Sequence, residues 1–265
     1  DASGMTAQAA ATTTFDVASV TMGAAGTITG TGSGGDDNFG ASGAALGNFA
    51  STINGGAGND AIFTGTAVDT VNGGAGNDTI DVGSGAGDSA DGGAGNDTIV
   101  ISADANLTAT DTYVGGEGTD AILFAANMTD AAGTFSAFSG FETLRLNPGA
   151  AEAITMSNFI NNQTFTKIEF GAAGAGGATM AVTNAAAAVT NIQFGTTDAA
   201  GTAVVADDDV TFDRLVDTTT NSLTVTHDSG GAAGTIDAFI ADDEETIIIT
   251  TDSAADDLTI TAIDS

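Results

Sequence analysis

The sequence predicts an all-β protein in which strands stack coil upon coil, and three observations carry that prediction. A glycine- and aspartate-rich nonapeptide recurs in register along residues 32–123. Beyond residue 124, short apolar strand-like segments recur every 24 residues. The composition suits turns and strands: 38 Gly and one Pro, many Val, Ile, Phe and Thr, and no helical stretch longer than Ala185–Ala188.

The nonapeptide reads G-G-x-G-x-D-x-U-x, with U a large apolar residue. Three copies are nearly complete: Gly55-Gly56-Ala57-Gly58-Asn59-Asp60-Ala61-Ile62, Gly73-Gly74-Ala75-Gly76-Asn77-Asp78-Thr79-Ile80 and Gly92-Gly93-Ala94-Gly95-Asn96-Asp97-Thr98-Ile99. Looser copies flank them, Gly32-Ser33-Gly34-Gly35-Asp36-Asp37-Asn38-Phe39 and Gly115-Gly116-Glu117-Gly118-Thr119-Asp120-Ala121-Ile122. Starts at 55, 73 and 92 lie 18 and 19 residues apart, so each coil holds two nonapeptides. The second of each pair is degraded: Leu46–Asn54, Thr64–Asn72, Gly83–Asp91 and Asn106–Val114. Three of these keep the aspartate (Asp69, Asp88, Asp111) and the first has Ser51. The fourth-position glycine is lost to Phe49, Ala67, Ala86 and Ala109. The 23-residue steps from 32 to 55 and from 92 to 115 fit a coil plus five-residue loops at 41–45 and 101–105.

Glycines at these positions let the backbone turn through positive φ and gather its carbonyls, and the aspartate adds a carboxylate. An oxygen-only, flexible cage suits Ca²⁺, whereas Mg²⁺ demands tighter octahedral geometry. The x-U-x triplet is a short strand with U turned inward. Coils stacked about 4.8 Å apart bring successive aspartates together, and like charges that close repel by about 1 kcal/mol even in water. A cation between the turns relieves that repulsion. Gly-Asp turns also close solenoids without metal, but five aligned copies weigh against that plainer reading.

These residues resemble the RTX (repeats-in-toxin) family. The resemblance implies a right-handed parallel β-roll with several Ca²⁺ ions between adjacent turns. It further implies type I secretion to the extracellular space or bacterial cell surface, with folding where calcium is met. Carried over residue by residue, the ligands are Asp37, Asp60, Asp78, Asp97 and Asp120, with the backbone at Gly34, Gly35, Gly56, Gly58, Gly74, Gly76, Gly93, Gly95, Gly116 and Gly118. The degraded repeats place calcium mainly in one column, with weaker binding at Asp69, Asp88 and Asp111. The phrase Phe138-Ser139-Gly140-Phe141-Glu142-Thr143-Leu144 resembles one that follows RTX blocks in bacterial surface-layer proteins, which implies a shell, lattice or filament subunit.

Three regions follow: a β or irregular lead-in at 1–31, the calcium β-roll at 32–123, and a second β-solenoid-like or layered region at 124–265. In the last, Leu144-Arg145-Leu146, Ile168-Glu169-Phe170 and Ile192-Gln193-Phe194 are 24 residues apart, as are Ser222–Ser229 and Thr246–Ser253. The 31-residue step from Ile192 to Leu223 reads as an insertion around Asp207-Asp208-Asp209.

Charge excludes several functions. Asp and Glu total 35 against three basic residues, Arg145, Lys167 and Arg214, for a net −32. Such a surface repels nucleic acid and anionic lipid. No apolar run approaches the roughly 20 residues of a membrane span, so direct insertion is not expected. Without cysteine there is neither disulfide nor thiolate site. The opening Asp1-Ala2-Ser3-Gly4, lacking an initiator Met and a basic region, reads as processed.

No enzyme chemistry stands out. H-E-x-x-H needs two histidines and only His227 exists. Aligned with Thr251, it reads as an exposed strand or turn residue, and no G-x-S-x-G elbow accompanies His227-Asp228-Ser229. The acidic runs Asp207–Asp209 and Asp242-Asp243-Glu244-Glu245 read as solvated turns. The expectation is therefore a secreted, calcium-dependent structural protein that is not an enzyme. Its partners are copies of itself in a lattice or filament, with cell-surface polysaccharide a further partner. The alternative is a calcium-folded secretion module or adhesin stalk of a larger exoprotein.

Overall fold

A computed structural model describes residues 13–15, 26–40, 46–102, 107–125, 138–146, 152–155, 164–170, 179–194, 208–216, 220–227, 234–242, 244–251 and 258–264. The predicted loop at 41–45 lies outside them. Of 101–105, only Ile101 and Ser102 are described, Ile101 as the end of a strand. The described residues are all β and contain no helix, so none is long and apolar enough to cross a membrane. The chain divides into two compact units, residues 1–123 with 134–141, and 124–133 with 142–265.

The first unit carries β1 (Thr13–Phe15), β2 (Thr27–Thr31), β3 (Asp37–Phe39), β4 (Ala50–Ala57), β5 (Ala61–Phe63), β6 (Thr70–Ala75), β7 (Thr79–Asp81), β8 (Ser89–Ala94), β9 (Thr98–Ile101), β10 (Thr112–Glu117), β11 (Ala121–Phe124) and β12 (Phe138–Ser139). Even strands form one sheet, β2-β4-β6-β8-β10-β12, and odd strands from β1 to β11 lie side by side in another. Each coil therefore gives one strand to each sheet, and every recorded pairing is parallel. This is the predicted stack of coils.

Period-two alternation produces these strands, as in the buried–exposed sequence of β4. The inward residue of each x-U-x triplet forms one core column: Phe39 pairs with Ile62, Ile62 with Ile80 and Ile80 with Ile99. All are buried. The facing column runs Gly30, Ile53, Val71, Ala90, Tyr113, Phe138. Gly30 has no room for a side chain, because a Cβ there would lie 2.8 Å from Ile53 Cδ1 and 2.9 Å from a Phe39 ring carbon. At the other end Tyr113 stacks on Phe138 (centroids 5.1 Å apart), and Phe138 meets Phe141 edge-on. The two phenylalanines of the 138–144 phrase thus pack at the last rung of this unit.

The second unit carries β13 (Thr143–Leu146), β14 (Glu152–Thr155), β15 (Lys167–Phe170), β16 (Thr179–Ala185), β17 (Asn191–Phe194), β18 (Asp208–Arg214), β19 (Ser222–His227), β20 (Gly234–Ile240), β21 (Thr246–Thr251) and β22 (Leu258–Asp264). Odd strands form one parallel ladder and even strands a second, β14-β16-β18-β20-β22. The 24-residue period is the register itself: Leu144 pairs with Ile168, Ile168 with Ile192, and Leu223 with Ile247. Ala185–Ala188 ends β16 and turns.

Three sequence expectations are corrected here. Ile192 pairs with Val225, not Leu223. Asp208 and Asp209 open strand β18 and are not an inserted turn, while Asp207 lies outside the described residues. His227 is fully buried rather than exposed, because it shares the inward parity of Leu223 and Val225 along β19; Asp228 and Ser229 are not described.

Truncating the central rung tests the core assignment. Ile80→Ala should lower unfolding free energy by about 2–5 kcal/mol in calcium-saturated denaturant titrations, with far-UV circular dichroism retained.

Candidate metal-binding turns

The glycines of G-G-x-G-x-D divide into two jobs. The second and fourth adopt the left-handed region, as at Gly74 (φ 116°) and Gly76 (φ 130°), which an L side chain rarely enters. The first needs no positive φ but has no space. A Cβ on Gly73 would collide with Asp78 Oδ2 and with the carbonyl oxygen of Gly92 on the next coil; Gly55 and Gly92 are enclosed the same way by Asp60 with Gly73 and by Asp97 with Gly115. Each turn thus brings a carboxylate oxygen and a next-coil carbonyl oxygen to the same small cradle. Gly56 and Gly58 turn their carbonyls towards Gly74 and Gly76, and Gly93, Gly95, Gly116 and Gly118 continue the pattern.

The looser first copy differs. Gly34 and Gly35 do not take positive φ, and Ser33 stands where the other copies have the left-handed glycine. Its amide donates to Asp37 Oδ2 at 2.5 Å, so that carboxylate closes its own turn. Gly34 and Gly35, assigned to the site from the motif, do not reproduce the turn of the other copies.

Asp37, Asp60, Asp78, Asp97 and Asp120 are all buried and form one continuous ladder. The amide of each donates to Oδ1 of the next: Asp37 to Asp60, Asp60 to Asp78, Asp78 to Asp97 and Asp97 to Asp120, at 2.7–2.8 Å. The opposite edge has its own ladder, from Ser51 to Asp69 to Asp88 to Asp111, equally buried.

The edges differ in the second carboxylate oxygen. Asp69 Oδ2 accepts from the Gly65 amide (3.2 Å) and Asp111 Oδ2 from the Thr108 amide (2.6 Å). Oδ2 of Asp60, Asp78 and Asp97 is buried without a hydrogen-bond partner. On the degraded edge only Asp88 shares that condition. A buried carboxylate oxygen without a partner is costly.

A third ladder was not anticipated from sequence. Asn77 donates its amide to Asn59 Oδ1, Asn96 to Asn77 Oδ1 and Thr119 to Asn96 Oδ1, at 2.8–2.9 Å, and Asn59 donates to Asp36. It runs opposite to the aspartate ladder, so each turn is tied to its neighbours in both directions. The repeated Asn before each Asp was the visible sign.

Burial sets the electrostatics. Desolvation, reinforced by neighbouring carboxylates, raises Asp60, Asp78, Asp88 and Asp97 from 3.8 to about 6, although the amide each accepts pulls the other way. Asp69 is also raised by burial. The chain's three cations lie elsewhere: Arg145 and Lys167 both meet Glu169, with Arg145 at 2.6 Å, and Arg214 meets Glu244. Glu244 is thereby buried rather than solvated, and Glu245 accepts from the Asn221 amide. No basic residue occurs in residues 26–125 to offset the ladders.

The donors fit Ca²⁺. They are all oxygen, buried, and include carboxylate atoms with unspent lone pairs. Among the described residues no three acidic or histidine side chains converge on one point. A cation held here would draw on the turn carboxylates together with backbone carbonyls.

A family model for the RTX calcium-binding nonapeptide repeat (4 copies) matches residues 47–80, 54–87 and 82–100. No curated protein and no solved structure matches the chain. The matched stretches span the turns whose carboxylate oxygens are left over.

The raised carboxylates fix a pH dependence for the metal-free protein. Between about pH 4 and 6 the folded state binds protons that the unfolded chain, titrating near 3.8, has released, so stability falls as pH rises. Scanning calorimetry of the calcium-free protein should show a roll transition at pH 4.5 that is lowered or lost at pH 7. Saturating Ca²⁺ should reduce or reverse that drop.

Proposed function

We propose, from the premise that residues 47–100 are RTX calcium-binding nonapeptide repeats, that the chain is a calcium-dependent structural protein of the extracellular surface that associates with copies of itself. The observation that carries the calcium part is the column of buried Oδ2 atoms at Asp60, Asp78 and Asp97. In this reading Asp60, Asp78 and Asp97 hold the ions, with Asp37 and Asp120 at the ends of the column and the turn glycines supplying carbonyls. Asp69 and Asp111 bind more weakly because backbone amides already occupy their second oxygen.

Bound calcium supplies positive charge that the roll itself lacks. Asp60, Asp78 and Asp97 hold the turns in register through Oδ1 and present Oδ2 to the ion, so metal binding and coil stacking become one event. Proteins with such repeats are typically exported by type I secretion, and extracellular calcium then drives folding after export.

Association draws support from the second unit. Among the described residues β21 has one ladder neighbour, β19, and it exposes Ile248 and Ile249 at 46% and 43%. An open, apolar, β-branched edge is a template for strand addition by another chain. Negative-stain electron microscopy should show sheets or fibres in millimolar Ca²⁺ and dispersed protein in chelator. Asp78→Ala should abolish them at calcium concentrations where Asp69→Ala still assembles. Monodisperse wild type in calcium, or equal loss in both variants, contradicts the proposal.

A further inference from the structure

We propose that the outer face of the sheet containing β4, β6 and β8 docks a neutral, linear polysaccharide. The inference rests on the extracellular placement above and adds a ligand and its surface. In register across this sheet, Thr29 pairs with Thr52, Thr52 with Thr70, Thr70 with Ser89 and Ser89 with Thr112. The next outward column holds Asn54, Asn72 and Asp91, and a third holds Ala57, Ala75 and Ala94. Thr52, Asn54, Thr70, Asn72 and the three alanines are exposed. Each coil thus offers a hydroxyl, an amide or carboxylate, and a methyl, repeated about every 4.8 Å.

Charge singles this face out. The chain is −32, yet β4, β6 and β8 carry one ionisable side chain among them, Asp91, which is half-buried. Asp37, Asp60, Asp69, Asp78, Asp88, Asp97, Asp111 and Asp120 are instead buried in the ladders. A face without cations gives an anionic polymer nothing to neutralise, while the protein's overall field repels it. It also lacks the exposed aromatic or arginine anchors that dominate protein interfaces, and the exposed isoleucines suited to self-association lie on β21. A neutral polysaccharide meets what is offered. Its hydroxyls exchange hydrogen bonds with Thr and Asn, its C–H faces lie on Thr and Ala methyls, and weak contacts multiply along the repeat.

The test uses the full chain in millimolar Ca²⁺. Microcrystalline cellulose serves in pull-down and soluble linear mannan in affinity electrophoresis. Wild type should be retained by at least one, and Thr52→Glu/Thr70→Glu should lose at least tenfold in affinity with unchanged circular dichroism and calcium binding. Ile248→Glu should disturb assembly yet leave polysaccharide binding intact, which separates this inference from the assembly reading. No retention of wild type, or equal binding by the double variant, overturns it. So does a double variant that loses sheets or fibres when wild type shows no glycan binding, because the face then joins copies of the chain. Ice-growth inhibition without glycan binding overturns it as well.

Discussion

Everything in the roll depends on carboxylates that are buried and only half satisfied. Asp60, Asp78 and Asp97 each spend Oδ1 on the amide of the preceding coil's aspartate, which sets the coil-to-coil register. Each leaves Oδ2 without a hydrogen-bond partner beside a next-coil carbonyl. Water is excluded and no basic side chain is near in sequence, so a proton or a metal ion must compensate. The raised carboxylates show the first route in outline; the calcium-binding repeat supplies the second.

Steric constraint explains why the sequence repeats so strictly. Two glycines per turn are required by backbone conformation and the first by the oxygen cradle, so any side chain there displaces a ladder partner. The edge whose turns lack the fourth-position glycine keeps buried aspartates but closes two of their second oxygens with backbone amides. The two edges therefore share a ladder and differ in what is left for a cation. The second unit uses the same parallel stacking with different chemistry, pairing the three basic residues with Glu169 and Glu244.

Much of this was legible in the sequence because a solenoid writes its register as a period. The x-U-x triplets and the 24-residue recurrence give the odd strands directly, and Ile62, Ile80 and Ile99 are buried as their position demands. Of the even strands of the second unit, β14, β16, β18 and β20 were missed. Glu152–Thr155, Thr179–Ala185 and Asp208–Arg214 share no motif, and their pairings Thr155 with Thr183 and Thr179 with Asp209 are not 24 apart. Burial of His227 was legible from alternation with Leu223 and Val225 but was obscured by alignment with Thr251. The Arg214–Glu244 pair joins residues 30 apart outside any repeat, so periodicity carried no trace of it.

The central claim is that calcium completes the aspartate column and that, at neutral pH, the roll closes only when it does. Tyr113, the one tyrosine of a chain without tryptophan, is buried next to the last rung and stacked on Phe138, so its emission reports closure of that end. A calcium titration of chelated protein at pH 7 should change Tyr113 emission and far-UV circular dichroism together, over one calcium range. Full β signal and an unchanged tyrosine spectrum in excess chelator would contradict the account.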